Sequence, residues 1–156
     1  MSEEDPVGAP SSDESGSGRV VLISWNVASW PTTLKLIKQH YGSLGQYLDR
    51  HGVDILCLQE TKINRERVED HPISGYNEGG WSSFWSCCNT ASTSGAASKG
   101  KSSTASKRGF NGVATFARTG LVKSACCDIF ENDDLDNEGR CVVTELSAGG
   151  TLIFNV

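Results

Sequence analysis

The chain has 156 residues, 37% of them hydrophobic and 21% charged, a composition that fits one ordinary globular domain. No window approaches eighteen consecutive apolar residues, which excludes a membrane-spanning helix. The formal net charge of −5 sits entirely in residues 1–18, which hold five acids and no base. The remainder carries 14 acids and 14 bases, so overall acidity says little about a partner.

Residues 1–18 have almost nothing to bury and are expected to form a disordered, solvating tail, neither a secretory signal nor an Arg-rich transit peptide. Order is expected to begin at Arg19. The run Arg19–Asn26 is apolar and β-branched at nearly every position, which predicts a strand buried on both faces. A helix follows, with Ser29 as its cap and Pro31 in its first turn. Leu34, Ile37, Tyr41, Leu44 and Leu48 give it one apolar stripe. Gly42 and Gly45 inside that stripe each cost about 1 kcal/mol relative to Ala, which weakens its middle. His51-Gly52 ends the helix, and Val53–Gln59 reads as a second buried strand with Glu60 at its C-terminal end. Strand, helix and strand within about forty residues is the pattern of an α/β unit.

From Glu78 the composition changes. Residues at about 88–106 are mostly Ser, Thr, Ala and Gly and are expected to form a disordered loop. Lys99, Lys101, Lys107, Arg108, Arg118 and Lys123 make the surrounding stretch basic, either a solvated loop or a surface for DNA phosphates. Phe110–Arg118 predicts a strand after a glycine turn. The acidic run 128–138 lacks the spacing of a calcium loop and reads as a solvated connection. Arg140–Leu146 and Thr151–Val156 predict two strands joined through Ala148-Gly149-Gly150. The six cysteines show neither a CxxC pair nor a zinc spacing and are expected to be reduced, as in an intracellular protein.

Two polar residues stand where buried strands emerge, Asn26 and Glu60. Ligands bind at the carboxyl ends of strands in open α/β sheets, and amide and carboxylate oxygens suit Mg²⁺ rather than zinc. Either residue could equally be a strand-end cap.

Trp25-Asn26, Asp54–Lys62 (DILCLQETK), Gly109–Phe116 (GFNGVATF) and Glu138-Gly139-Arg140 together resemble the ordered motifs of the exonuclease III family of apurinic/apyrimidinic (AP) endonucleases. SFWSC at Ser83–Cys87, EGRCVVTE at Glu138–Glu145 and LIFNV at Leu152–Val156 are similar to its type 2 branch. The resemblance implies the N-terminal half of an endonuclease/exonuclease/phosphatase-type fold, a two-sheet α/β sandwich flanked by helices, over residues 19–156. It implies Mg²⁺-dependent hydrolysis of the DNA phosphodiester at abasic sites and 3′-5′ exonuclease or 3′-end processing, with Mn²⁺ as a substitute metal. DNA with abasic sites or damaged 3′ ends would be the partner, and the nucleus the location. By the same resemblance Glu60 is the metal ligand, Asn26 its neighbour in or beside the coordination sphere, and Lys62 a cation that orients nearby carboxylates.

The chain departs from the family in two ways. Ala28 stands where the family often has Asp or Asn, which removes one oxygen ligand or water anchor. The family's Tyr, Asp-x-Asn pair, further Asp and Asp-His pair have no match in the 156 residues, and His40, His51 and His71 read as surface residues. The chain is therefore expected to be an inactive fragment with no catalytic residue of its own, its apolar sheet faces exposed, and not a well-folded monomer. Other branches of the superfamily, acting on inositol phosphates, sphingomyelin or poly(A), are one alternative. A non-catalytic DNA-binding or interaction fragment is another.

Overall fold

The computed structural model describes residues 19–70, 80–88, 111–127 and 129–156. The predicted tail and nearly all of the Ser-rich loop lie outside them, as does His71; Cys88, at the loop's start, is buried. The elements in chain order are β1 (Leu22–Asn26), α1 (Trp30–Tyr41), α2 (Leu44–Arg50), β2 (Ile55–Gln59), α3 (Arg65–Asp70) and β3 (Trp81–Ser86). They continue with β4 (Val113–Arg118), β5 (Val122–Cys126), α4 (Asp133–Asp136), β6 (Val142–Leu146) and β7 (Leu152–Asn155).

Two sheets carry the fold, one with strand order β1-β2-β4-β3 and one with order β5-β6-β7. β1 and β2 run parallel, linked through α1 and α2, and every other pairing is antiparallel. This is the α/β two-sheet architecture that the family resemblance implies, and the β1–β2 unit is the one the patterning predicts. Among the described residues no helix is long and apolar enough to cross a membrane.

The single helix predicted from Ser29 to His51 is two. Gly42 adopts φ +83°, ends α1 by donating its N–H to the Lys38 carbonyl at 3.0 Å, and passes the chain to Ser43. Ser43 Oγ then caps α2 by accepting from the Gln46 N–H at 3.1 Å. Gly45 stays helical within α2, and a Cβ there would meet Trp81 only at ordinary contact distance, 3.8 Å from the indole. Ser29 occupies the N-cap position of α1, but its hydroxyl bonds Thr32 Oγ1 rather than a backbone N–H.

The apolar stripe of the helices (Trp30, Leu34, Ile37, Leu44, Leu48) packs on Leu56, Leu58, Ala114 and Phe116 of the first sheet, with Trp30 and Phe116 ring centroids 5.5 Å apart. Burial of each such large side chain stabilises the fold by about 1.5–3 kcal/mol before entropy is counted. On the opposite face, Ile55, Cys57 and Ala117 meet Leu146, with Leu121, Val122 and Ile153 beside them, and this joins the sheets. The expectation that the inner faces of the apolar strands stand in water is therefore corrected for β2, and for Ile153 of β7, while Leu22 of β1 and Leu152 and Phe154 of β7 are exposed.

β1 departs from its prediction, since it is not buried on both faces. Ile23 and Trp25 pack toward the helices, whereas Leu22, Ser24 and Asn26 are exposed. The cause is position. β1 is an edge strand, and the second sheet crosses β2, β3 and β4 instead.

The acidic run contains the one-turn helix α4, capped by Asn132 Oδ1 and burying nothing. The hairpin between β6 and β7 forms as the glycine pair predicts, with Leu146 N–H donating to the Thr151 carbonyl at 2.9 Å. At the end of the first sheet away from Glu60, Arg118 bridges Asp54 (3.1 Å) and Asp49 (2.9 Å) and lies 4.9 Å from the Trp81 ring centroid.

Candidate functional site

Asn26 closes β1 and Glu60 follows β2. The strands are parallel with Asn26 opposite Gln59, so their C-terminal ends lie side by side. There Asn26 Nδ2 donates to Glu60 Oε1 at 2.9 Å, and Lys62 Nζ lies 3.4 Å from Glu60 Oε2. All three residues singled out from the sequence thus meet. The bond from Asn26, and then that from Lys62, hold the Glu60 carboxyl below the ordinary glutamate range, since both favour the charged form. The Glu60 side chain nonetheless stays 46% exposed, so the carboxylate is open to a ligand. Asn26 turns its amide nitrogen to Glu60 and uses Oδ1 to accept the Ala28 N–H at 3.1 Å.

Backbone conformation is unusual at the same corner. Ala28, Glu60 and Lys62 take φ of 54°, 53° and 54°, the left-handed region. A non-glycine residue there costs roughly 1–2 kcal/mol, and such residues cluster where a fold pre-sets a functional geometry. At Ala28 the turn is what aims the N–H at Asn26 Oδ1. Asp and Asn tolerate this conformation better than Ala, so the departure at position 28 keeps the backbone shape without the extra side-chain oxygen.

Three loops hold these residues. Val27 N–H donates to the Gln59 carbonyl (3.0 Å) and Trp30 N–H to the Thr61 carbonyl (2.9 Å). Thr61 and Lys62 N–H groups donate to the Gly112 and Asn111 carbonyls (3.0 and 2.9 Å). Thr61 is fully buried between its neighbours and its hydroxyl has no hydrogen-bond partner. Gly112, at φ +105°, fits only because it lacks a side chain, for a Cβ there would stand 2.5 Å from Thr61 Oγ1.

Beneath Glu60 the layer between the sheets changes character. It is apolar at Ile55, Ala117 and Leu146 and polar at Thr115, Thr144, Gln59 and Asn155 toward the site. Gln59 Nε2 donates to Asn155 Oδ1 at 2.7 Å and to Ser24 Oγ at 3.2 Å. Thr61, Gln59 and Asn155 fall within the motif strings, but no sequence argument gives any of them a role in the site. The glycine of the GFNG string was the one available signal for the close approach at Thr61.

Other candidates stand apart from this corner. Arg118 is committed to its two aspartates at the far end of β4, and Lys123 pairs with Glu145 at 2.8 Å. The remaining cations of the basic stretch, Lys99, Lys101, Lys107 and Arg108, lie outside the described residues. His40, in the last turn of α1, and His51, just after α2, are exposed, and Glu60 is bonded to Asn26 and Lys62 instead. The six cysteines form no disulfide, and the Glu138-Gly139-Arg140 turn docks where Cys87 joins Cys88, with Gly139 against their backbone. Among the described residues no group of three or more His, Cys, Asp or Glu side chains converges on one point, so the donor set at Glu60 is a single exposed carboxylate and its amide neighbour.

Comparison with known proteins places this corner in context. Residues 23–151 match the model of the Endonuclease/Exonuclease/phosphatase family. The chain is 34% identical over 136 residues to DNA-(apurinic or apyrimidinic site) endonuclease 2 of Xenopus laevis, a match covering 80% of this chain and 23% of that protein. It is 30% identical over 138 residues to the protein of the same name from Bos taurus, of which the match covers 26%. The chain thus spans about a quarter of the length of these relatives. Among solved structures it is similar to the Xenopus laevis APE2 catalytic domain, with 26% identity and a TM-score of 0.51 over 86% of this chain and 44% of that one. An AP endonuclease from Leishmania major, 24% identical with a TM-score of 0.54 over 86% of this chain and 39% of that one, shares the fold. With the family model matching most of its length, the chain belongs to the Endonuclease/Exonuclease/phosphatase family.

Proposed function

We propose that this chain supplies the metal-side corner of a DNA-repair phosphodiesterase acting on abasic sites and on 3′ ends. The observation that carries the reading is the meeting of Asn26, Glu60 and Lys62 at the strand ends, where Glu60, Lys62 and the neighbouring Ala28 hold left-handed backbone. The names of the relatives, abasic-site endonucleases, supply the substrate class.

The donor set fits Mg²⁺, with Mn²⁺ as a substitute. Mg²⁺ keeps several waters and takes one or two carboxylates plus substrate phosphate oxygens, so one accessible carboxylate suffices, whereas a zinc cage requires four ligands. Glu60 would hold the metal, and Asn26 would fix the carboxylate through Nδ2 rather than ligate. Lys62 would restrain the second oxygen. The metal supplies charge neutralisation at the phosphoryl and departing 3′ oxygens. The bonds from Asn26 and Lys62 favour the charged form of Glu60, the form a metal would require.

The 156 residues hold no match to the family's Tyr, water-positioning Asp or His, so these residues alone would bind Mg²⁺ weakly, on the order of millimolar, and would not cut DNA. The nucleus is the location that the family resemblance implies. Two measurements test the reading. Mg²⁺ added to the chain should perturb the NMR signals of Glu60 and Asn26 first, and perturbation elsewhere with none at Glu60 would reject the site. In a longer form that nicks abasic DNA, Glu60→Ala should lower cleavage by about two orders of magnitude or more, and Asn26→Ala by less.

A further inference from the structure

We infer that Asn155 is a positioning residue, a single amide sent from the second sheet that fixes the end of β2 through Gln59 and so sets the carboxylate of Glu60. The inference rests on the reading of Glu60 as the metal-side ligand and adds a residue that neither the strand-end pattern nor the motif match assigns to the site.

Asn155 is 2% exposed and faces the first sheet from β7. Its Nδ2 donates to the Ala114 carbonyl at 2.9 Å, the Leu58 carbonyl at 3.3 Å and Thr115 Oγ1 at 3.3 Å. Leu58 and Ala114 are cross-strand partners, so one NH₂ group ties β2 to β4 immediately before Glu60. Its Oδ1 accepts from Gln59 Nε2 at 2.7 Å, shorter than any of those bonds. A buried amide must satisfy its polar groups, and this one does so entirely on the opposite sheet. A leucine of similar volume would fill the same space and bury the same area without any of these bonds. What the amide adds is direction.

Gln59 is the link. It is the residue before Glu60, it lies opposite Asn26 in the parallel register, and its carbonyl accepts the Val27 N–H that begins the Ala28 turn. With Nε2 held by Asn155 and Ser24, the Gln59 side chain cannot swing, and the strand end enters its left-handed turn at Glu60 from a fixed point. Loss of Asn155 would free Gln59 first and the Asn26–Glu60–Lys62 corner next, leaving the apolar end of the inter-sheet layer in place.

Native-state hydrogen exchange on the full chain separates positioning from mere adhesion of the sheets. The Thr61 and Lys62 amides report on the site, and the Ile55 and Arg118 amides, bonded to the Val21 and Asp54 carbonyls, report on the far end. Asn155→Leu should speed exchange at Thr61 and Lys62 by about tenfold more than at Ile55 and Arg118. Gln59→Met, at a half-buried position that leaves Asn155 intact, should do the same and serves if Asn155→Leu does not fold. The double variant should add nothing beyond either single one. Equal acceleration at all four amides, or a Gln59→Met chain that exchanges like the wild type, overturns the inference. A parallel Mg²⁺ titration keeps the two readings distinct. Weaker binding in both variants supports both. Selective exchange in a chain whose wild type binds no Mg²⁺ would reject the metal role of Glu60 and leave Asn155 as the residue that positions it.

Discussion

Replacing Gly112 with Ala places a methyl group 2.5 Å from Thr61 Oγ1, at a backbone φ of +105°. Two penalties follow. The left-handed backbone with a Cβ costs roughly 1–2 kcal/mol. Relief of the overlap requires Thr61 to move, yet Thr61 is fully buried and bonded through its N–H to Gly112 and through its carbonyl to Trp30, so overpacking adds about 1–3 kcal/mol. The total of about 2–5 kcal/mol is a large share of the 5–15 kcal/mol stability of a typical domain. Urea unfolding reads it directly, because a slope of about 1–3 kcal/mol per molar turns the loss into a midpoint shift on the order of 1–2 M. Adding Thr61→Ala removes the oxygen in the way and should restore the overlap part while leaving the backbone part. A Gly112→Ala chain within about 1 kcal/mol of the wild type, or a double variant no better than the single, would refute the close-approach reasoning.

Ala28→Asn should raise stability by about 0.5–1 kcal/mol, since Asn accepts the left-handed conformation that Ala resists, and an unchanged melting midpoint would count against strain there. For Glu60, whose folded pKa lies below the unfolded one, the stabilising contribution is complete above the ordinary glutamate pKa and is lost as pH falls through the depressed folded value. A carboxyl carbon-13 titration should show that low midpoint, and Asn26→Ala should move it up toward the ordinary range. β7 presents Leu152 and Phe154 at 53% and 60% exposure on the edge of its sheet, with Val156 just after it at 70%. The chain should therefore self-associate with concentration in sedimentation velocity, and Phe154→Lys should suppress this. Association unaffected by that change would move the contact elsewhere.

The sequence was most readable where one physical constraint acted alone. The β-branched runs located β1 and β2, the glycine pair located the β6–β7 turn, and the strand-end logic located Asn26 and Glu60. It was least readable where tertiary placement decided. The exposed face of β1 follows from its edge position, which periodicity cannot report, and an eight-residue apolar run looks alike in the middle of a sheet and at its border. β5 (VKSAC) has only one partly buried residue, so its pairing with β6, not its pattern, makes it a strand. Asn155 lies among Leu, Ile, Phe and Val in the sequence, and only the facing of the two sheets turns that polar residue inward onto Gln59.

The corner around Glu60 is assembled from pieces far apart along the chain, which fixes when in folding it can appear. β1, α1, α2 and β2 follow one another directly and can collapse as a unit, but the Asn26–Glu60 bond already spans 34 residues. The Thr61 carbonyl-side and amide-side bonds wait for Trp30 and for Gly112, and the Asn155–Leu58 bond spans 97 residues. Loop-closure entropy must be met before such distant contacts return anything, so nuclei form from near neighbours and remote pairings come late. During synthesis, therefore, Glu60 emerges early on a strand that already has its partners on the helix side but not those from β4 and β6, and it has no settled geometry until almost a hundred further residues have been made.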